Sequence, residues 1–369
     1  MECSYAEKPI HFLIGRSMRP RVTQRDIARA ANVSHVTVSL ALRGERGIPE
    51  RTRQRIEKIA ALLGYTPDPM LSALSSYRKS NRPAAYQANI GWLGARPLGS
   101  KDYGGFYRYF EGAQTRAKQL GYVLDEISLT DYPKDFRRLQ RLLGARNITG
   151  LILAPAGIAG EVLKFDLSHY SVVRLGYSYA SPLSNTVANT QFRTVLTAME
   201  KVVALGYRRI GIILTEVVDQ RTSWHFLGGY LAGQHLISKE NWIAPFYDNQ
   251  KGELAPAVFD WIRREKVDCL IGAGYGGLYH ELIKLGLDMP GTVGYADTQL
   301  GENETLFSGI HQNDRQIGVS AVDLLVSMMH RSDVGIPAVP SHLLIEGSWR
   351  EGKTLMKQRP KAGLQLAAR

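Results

Sequence analysis

The sequence predicts an α/β protein: a small helical head followed by a larger core of doubly wound parallel sheets. Three observations carry this. Ile27, Ala28, Ala31, Val33, Val38 and Leu42 are spaced so that two short helices can bury one shared apolar face. From about residue 87 onward, short β-like runs alternate with amphipathic helical stretches, as in parallel sheets covered by helices on both faces. Positive charge is concentrated ahead of that alternation. Residues 1–82 hold 15 Lys and Arg against 7 Asp and Glu, and the remainder holds 31 against 27. A chain of 369 residues that is 44% hydrophobic suggests two or three domains and ample core.

Residues 1–20 are expected to be a disordered extension, with Met1 and Met18 both available as the start. The head is expected over 21–66. Its first helix runs from Gln24 to Ala31, and Asn32 takes a left-handed turn, which its short polar side chain tolerates. Ser34 caps a second helix, His35 to Leu42. A third fits Pro49 to Leu63, with Pro49 at the first helical position and Gly64 ending it. Two short helices joined by a tight turn on a basic segment form a helix-turn-helix, whose second helix is shaped for a major groove. Pro67 and Pro69 then break the chain. A hinge helix (Met70 to Tyr77) and linker occupy 67–86.

The core is expected over 87–353. Its strand candidates are Asn89–Gly94, Tyr122–Ser128, Gly150–Ala154, Val172–Gly176, Arg209–Leu214, Cys269–Ala273 and Thr292–Tyr295. Its helix candidates are Phe106–Leu120, Asp135–Leu143, Phe192–Leu205, Ala255–Glu265, Tyr279–Lys284 and Arg315–Met329. Gly121-Tyr122 and Gly206-Tyr207 end helices alike, as if one βα unit were used in each of two lobes. Residues 354–369 read as a disordered tail.

Val22-Thr23, Asp26-Ile27-Ala28, Ala31, Val33-Ser34 and Thr37-Val38-Ser39 closely resemble the DNA-binding head of the lactose-repressor (LacI/GalR) family. Leu63-Gly64-Tyr65-Thr66-Pro67 extends the likeness. Further on, Gly206 to Gly211, Val293 to Thr298 and Glu346-Gly347-Ser348-Trp349 resemble that family's core. The resemblance implies a two-lobed core like a type I periplasmic sugar-binding protein, with a ligand cleft between the lobes. It also implies a homodimer on a near-palindromic operator in double-stranded DNA, acting as a regulator, most often a repressor.

Within a recognition helix only a few N-terminal side chains reach bases. Here these are His35, Val36, Ser39 and Leu40, with Thr37 a phosphate or base partner and Ser34 at the cap. Thr23, Gln24, Arg25, Arg43 and Arg51 are better placed for phosphates. Many relatives carry Arg at the position of Leu40, where it can grip a guanine. Leucine offers only apolar contact, or packs internally. The resemblance aligns Leu74 with a leucine that wedges into a minor-groove base step, with Met70, Leu71 and Ala73 around it. The stretch after it, with Tyr77, Arg78, Lys79 and Arg82, is long and expected to add DNA affinity. The resemblance offers the helix Arg315–Met329, through Ile317, Val319, Ala321, Val322 and Leu325, for the dimer contact, although helical apolar spacing of this kind is more often plain core.

The cleft is expected to hold a small-molecule effector, such as a sugar or sugar derivative. Phe106 stands where relatives place a stacking aromatic, and Arg221 lies near a segment that supplies an Arg for ligand hydroxyls. Trp224 and Tyr275 are further cleft aromatics, Asp297 neighbours a lost acidic position at Ala296, and Gln312 follows the last crossover. Gly274-Tyr275 replaces an expected Asn-Asp pair. Aromatic gain with polar loss suggests a different or larger ligand, or none.

Other classes fit less well. The histidines show no metal spacing, and neither a nucleophile elbow nor a phosphate-binding Gly-Lys-Ser/Thr loop is visible. Gly272 to Gly277 is a poor dinucleotide fingerprint. No enzyme activity, cofactor or metal is expected. Cys3 and Cys269 form no disulfide framework. The apolar run Ile10 to Ile14 is too short for a signal peptide or membrane span, so a cytoplasmic location is expected. A solute receptor on the same core would need an export signal and no helix-turn-helix. A ligand-independent DNA-binding regulator remains the other alternative.

Overall fold

The computed structural model describes residues 22–42, 48–65, 88–94, 106–132, 135–249 and 253–358. The chain divides into two compact units, residues 1–81 and 82–369.

In the first unit, α1 (Gln24–Ala31) is fixed by reciprocal capping: the Asp26 carboxylate accepts from the Thr23 N–H at 2.8 Å and from its hydroxyl at 2.6 Å. Asn32 takes the left-handed conformation, with φ 49°. The chain then enters α2 (His35–Leu42), where Ser34 Oγ accepts from the Thr37 N–H at 3.0 Å. α3 (Glu50–Leu62) follows. Pro49 is its N-cap rather than its first helical residue, and Gly64 ends it with φ 67°. Ile27, Ala28, Ala31, Val38, Ala41, Ile56 and Ala60 form the core. Val33 and Leu42, expected inside, are only half-buried at its edge, and Ala41 takes the inward position.

The second unit begins with β1 (Ala88–Gly94), α4 (Phe106–Gln119), β2 (Tyr122–Ser128), α5 (Phe136–Ala145) and β3 (Ile148–Leu153). The short β4 (Glu161–Val162), β5 (Ser171–Leu175), the short β6 (Tyr179–Ser181) and β7 (Asn185–Asn189) complete this pass. The chain then builds a second lobe, starting with α6 (Gln191–Ala204), β8 (Ile210–Thr215), α7 (Glu216–Arg221), α8 (His225–Gln234) and β9 (Phe246–Asp248). α9 (Leu254–Glu265), β10 (Cys269–Gly272), α10 (Gly276–Lys284), β11 (Gly294–Asp297) and β12 (Ser308–His311) follow. α11 (Asp314–Arg331) and β13 (His342–Ile345) return to the first lobe, and β14 (Ser348–Arg350) ends in the second.

The first sheet has the order β13-β7-β5-β3-β1-β2, parallel throughout. The second has the order β14-β12-β11-β10-β8-β9, parallel except for β14 against β12. Each sheet has an apolar cluster on each face, so both lobes are doubly wound. The chain passes between lobes at three places, after β7, after β12 and after β13.

Two expectations change. The apolar face of α11, assigned to a dimer contact, is core: Ile317, Ala321, Val322 and Leu325 are buried with α4 beneath the first sheet. The helices approach closely there, because a Cβ on Gly318 would overlap the Tyr109 carbonyl and one on Gly112 the Arg315 carbonyl. Residues 354–358, expected to open a disordered tail, are also held in place. Residues 354–358 lie along the second lobe, where Thr354 Oγ1 donates to Tyr295 O at 2.7 Å and accepts from Ser308 N–H at 3.0 Å. The Met356 N–H donates to the Tyr207 hydroxyl at 3.0 Å.

Candidate functional sites: the head surface and the interlobe pocket

α2 is held to the head by Val38 and Ala41, with Leu42 at the edge of the core, and turns its first two residues outward. Val36 is 64% exposed although it is aliphatic, and Ser34 and His35 are exposed beside it. Thr37, Ser39 and Leu40 are half-buried, and Leu40 lies outside the apolar core. Exposed Thr23 and half-buried Gln24 flank this surface in sequence, with Arg25, Arg51, Arg55 and Lys58 also exposed. The Thr23 hydroxyl already donates to Asp26, so Thr23 serves the cap. Its hydrogen bonds hold the Asp26 carboxyl below the usual carboxylate range, with the Arg29 charge helping. Arg43, Met70, Leu71 and Leu74, and the basic stretch to Arg82, lie outside the described residues.

A second concavity of about 520 Å³ of empty space lies between the lobes of the core, open to solvent. It is lined by Phe106 and Tyr109 of α4, by Pro155, by Gly176, Tyr177 and Ser178 after β5, and by Ala188 and Asn189 of β7. Gln191, Val218, Arg221, Thr222, Phe226, Gln299 and Gln312 complete it. Most of the loop and helix-start residues among these follow the carboxyl end of a parallel strand, where open α/β sheets bind ligands.

Three of the six expected cleft residues line this pocket: Phe106, Arg221 and Gln312. The Arg221 guanidinium lies 5.1 Å from the Phe106 ring centroid, a contact between a second-lobe and a first-lobe side chain. Burial lowers the Arg221 pKa from its ordinary value. Burial also raises that of the Tyr109 hydroxyl, and Asp314 adds to the rise. Gln312 Nε2 donates to Thr298 O at 2.8 Å, and its carbonyl accepts from Asn189 Nδ2 at 3.3 Å. These bonds tie two crossovers together.

The other three do not line it. Trp224 is 46% exposed and starts α8 in a left-handed conformation. Tyr275 packs against the apolar cluster of the second lobe. Asp297 is buried and structural. Its carboxylate accepts from the Gly274 and Gln299 N–H groups at 3.0 and 2.7 Å and from the Tyr295 hydroxyl at 3.0 Å. Burial raises its pKa nonetheless.

Sequence reasoning missed Tyr109, Tyr177 and Gln191. Tyr109 was findable, one helical turn beyond Phe106. At the edge of the pocket the Tyr177 ring contacts His225 of the second lobe at 4.8 Å and His342 of the first at 5.6 Å. Burial and the neighbouring His342 lower the pKa of His225. Among the described residues no cluster of three or more His, Cys, Asp or Glu side chains could hold a metal. No described helix is long and apolar enough to cross a membrane.

The fold and these sites define a helix-turn-helix head joined to a two-lobed, periplasmic-binding-protein-like core. Residues 23–68 match the family described as bacterial regulatory proteins, lacI family. The match covers the helical head. It is 32% identical over 210 residues to the HTH-type transcriptional regulator PtxS of Pseudomonas plecoglossicida, covering 56% of this chain and 57% of that protein. It is 25% identical over 227 residues to the HTH-type transcriptional repressor PurR of Klebsiella pneumoniae (strain 342), covering 60% and 63%. These matches thus span about six-tenths of the relatives' length. The structure of the lac repressor dimer bound to operator and the anti-inducer ONPF superposes with a TM-score of 0.52 at 19% identity, covering 91% of this chain and 99% of that one. A lacI-family regulator structure from Rhizobium etli gives 0.59 at 10% identity, covering 73% and 99%.

Proposed function

We propose that the protein is a DNA-binding transcription regulator, a repressor in its simplest form, that reads a near-palindromic operator as a homodimer and responds to a small molecule in the interlobe pocket. The observation that carries the DNA-binding part is α2. It is anchored by Val38 and Ala41, yet it turns His35 and Val36 to solvent beside the Ser34 cap. An exposed aliphatic side chain at the start of a recognition helix suits contact with a thymine methyl. Ser34, Thr37 and Ser39 add short polar groups, and Arg25 and Arg51 are exposed, as phosphate contacts require. The names of the PurR and PtxS relatives support the same reading.

Fluorescence anisotropy with DNA from the region upstream of its own gene tests this. Nanomolar binding that protects a two-fold symmetric footprint is expected, with log affinity falling linearly against log salt. Binding no tighter than to unrelated DNA at every fragment tried would refute it.

A further inference from the structure

We propose that Tyr177, His225 and His342 form a latch between the lobes, closed while both imidazoles are neutral and opened when they take up protons. The latch belongs to the core alone and does not depend on the regulator reading.

His342 stands on β13 in the first lobe, and His225 is the first residue of α8 in the second. They share one partner. The Tyr177 ring, on the first lobe after β5, lies 4.8 Å from the His225 ring and 5.6 Å from the His342 ring. The His225 ring meets it edge to face, with 85° between the planes. Among the described residues neither imidazole has a hydrogen bond or an ion pair. The tyrosine is therefore the contact that holds each ring, and its contact with His225 crosses from lobe to lobe.

Protonation works against this arrangement in three ways. His225 is half-buried, and a charged ring there loses hydration. It opens α8, whose first N–H groups carry a partial positive charge. His342, against the same tyrosine, brings a like charge to the other side of the junction. A lone imidazolium is attracted to an aromatic ring, but two that share one ring also repel each other. The charged groups on the surrounding elements are engaged elsewhere. Asp219 of α7 accepts from the Leu227 N–H and the Tyr247 hydroxyl, and Glu216 accepts from Gln220. Arg221 lies over Phe106. Glu346, just after β13, pairs with Arg193 of α6 at 3.6 Å. Arg174 of β5 donates to Thr186 and to the Tyr179 carbonyl, and it adds a further positive charge near Tyr177.

Burial and His342 hold the His225 pKa below its ordinary 6.5. The open arrangement, which relieves both, binds the proton more tightly than the closed one. The latch is thus intact above pH 6.5 and is released as pH falls below that value.

Energy transfer between the lobes tests this. Arg137→Cys on α5 and Lys284→Cys on α10 are exposed sites, one on each lobe. They carry the two dyes in the full chain with Cys3→Ser, Cys269 being buried. The labelled chain is diluted into excess unlabelled chain, so that only pairs within one chain report, and no ligand is added. Transfer is expected to change reversibly as pH falls from about 7.5 to about 5, with a midpoint below 6.5, while circular dichroism shows the core still folded. His225→Phe and His342→Phe keep a ring against Tyr177 without a proton to gain, so each should hold the high-pH value throughout. Tyr177→Ala should show the low-pH value at every pH. Should one phenylalanine variant not fold, the other decides. The proposal is overturned if transfer does not move with pH, or if Tyr177→Ala behaves like the unsubstituted chain. It is equally overturned if a folded phenylalanine variant responds unchanged, which would place the titrating group elsewhere, as at His311 beside the second crossover.

Discussion

Ile56→Ala separates the stability of the head from its reading surface. Ile56 is fully buried on α3, packed among Ile27, Ala28, Ala31, Val38, Ala41 and Ala60, and it does not belong to the recognition helix. Truncating a buried Ile to Ala costs about 2–5 kcal/mol, through lost transfer energy and a residual cavity. A unit of about 45 residues holds only roughly 2–7 kcal/mol in total, so the substitution removes most of it. At about 3 kcal/mol the folded-to-unfolded ratio falls about a hundredfold, and the head's melting temperature falls by roughly 30 °C. Circular dichroism should show an early transition of the head while that of the two-lobed core stays in place. Operator affinity should fall with the folded fraction, equally for every DNA sequence.

Val36→Ser gives the opposite pattern. Val36 is mostly exposed, so stability should change by no more than about 0.5 kcal/mol, while the preference among operator variants changes. The reasoning fails if Ile56→Ala lowers the head transition by less than about 5 °C, or if DNA binding is lost while the head remains folded. Either result would mean that these seven small and branched residues are not what holds the head together.

Three other outcomes follow from the core. Gly318→Ala should destabilise it by at least about 1–3 kcal/mol, because the new methyl meets the Tyr109 backbone; Gly277→Ala, with open space and a helical site, should be neutral or stabilising by up to about 1 kcal/mol. Paired urea titrations decide between them. His225 has a pKa lowered from 6.5, so the unfolded chain binds its proton first; its contribution is intact above pH 6.5 and is lost as pH falls below that value. His225→Gln should flatten the urea midpoint between pH 7 and 5, and an unchanged slope would assign it elsewhere. Thr354→Val keeps the shape but leaves the Ser308 N–H and the Tyr295 carbonyl unpaired; a loss of about 1–3 kcal/mol is expected, read as a lower Tm of the core.

The head was legible in the sequence because its helix ends are written in local chemistry. Asn32 for the left-handed turn and Ser34 for the cap fix the ends of α1 and α2 without reference to the rest of the fold. The central strands were legible too, as apolar runs bounded by Gly. β13 was not: Leu343 and Leu344 are 42% and 45% exposed at a sheet edge, and its segment carries no alternation that would mark it. α11 misled for a related reason, since an apolar helical stripe looks the same whether it meets its own sheet or a second chain. In the pocket, Phe106 and Arg221 were visible as residue types in the right segments. Gln191 was not, because what distinguishes it is an unpartnered atom, and only the packing around α6 produces that.

The pocket also constrains how a ligand could be sensed. Phe106 and Arg221 stand on different lobes, so a ligand held by both senses the angle between them. One held by a single lobe does not, however tightly it binds. The three crossovers are the only covalent connections between the lobes, and two of them are cross-tied at Asn189 and Gln312 beside the pocket floor. In the proposed regulator the coupling to DNA is limited to the ligand's differential affinity for the two lobe arrangements, about 1–3 kcal/mol or 5–150-fold in typical cases. In the proposed regulator, a ligand touching both Arg221 and Phe106 would favour one arrangement of the lobes, since the two side chains meet across them. Phe106→Ala should consequently leave operator affinity unresponsive to a small molecule that the unsubstituted protein senses. Anisotropy titrations with and without that molecule would show this, and an undiminished response would place the sensing contact elsewhere on the first lobe.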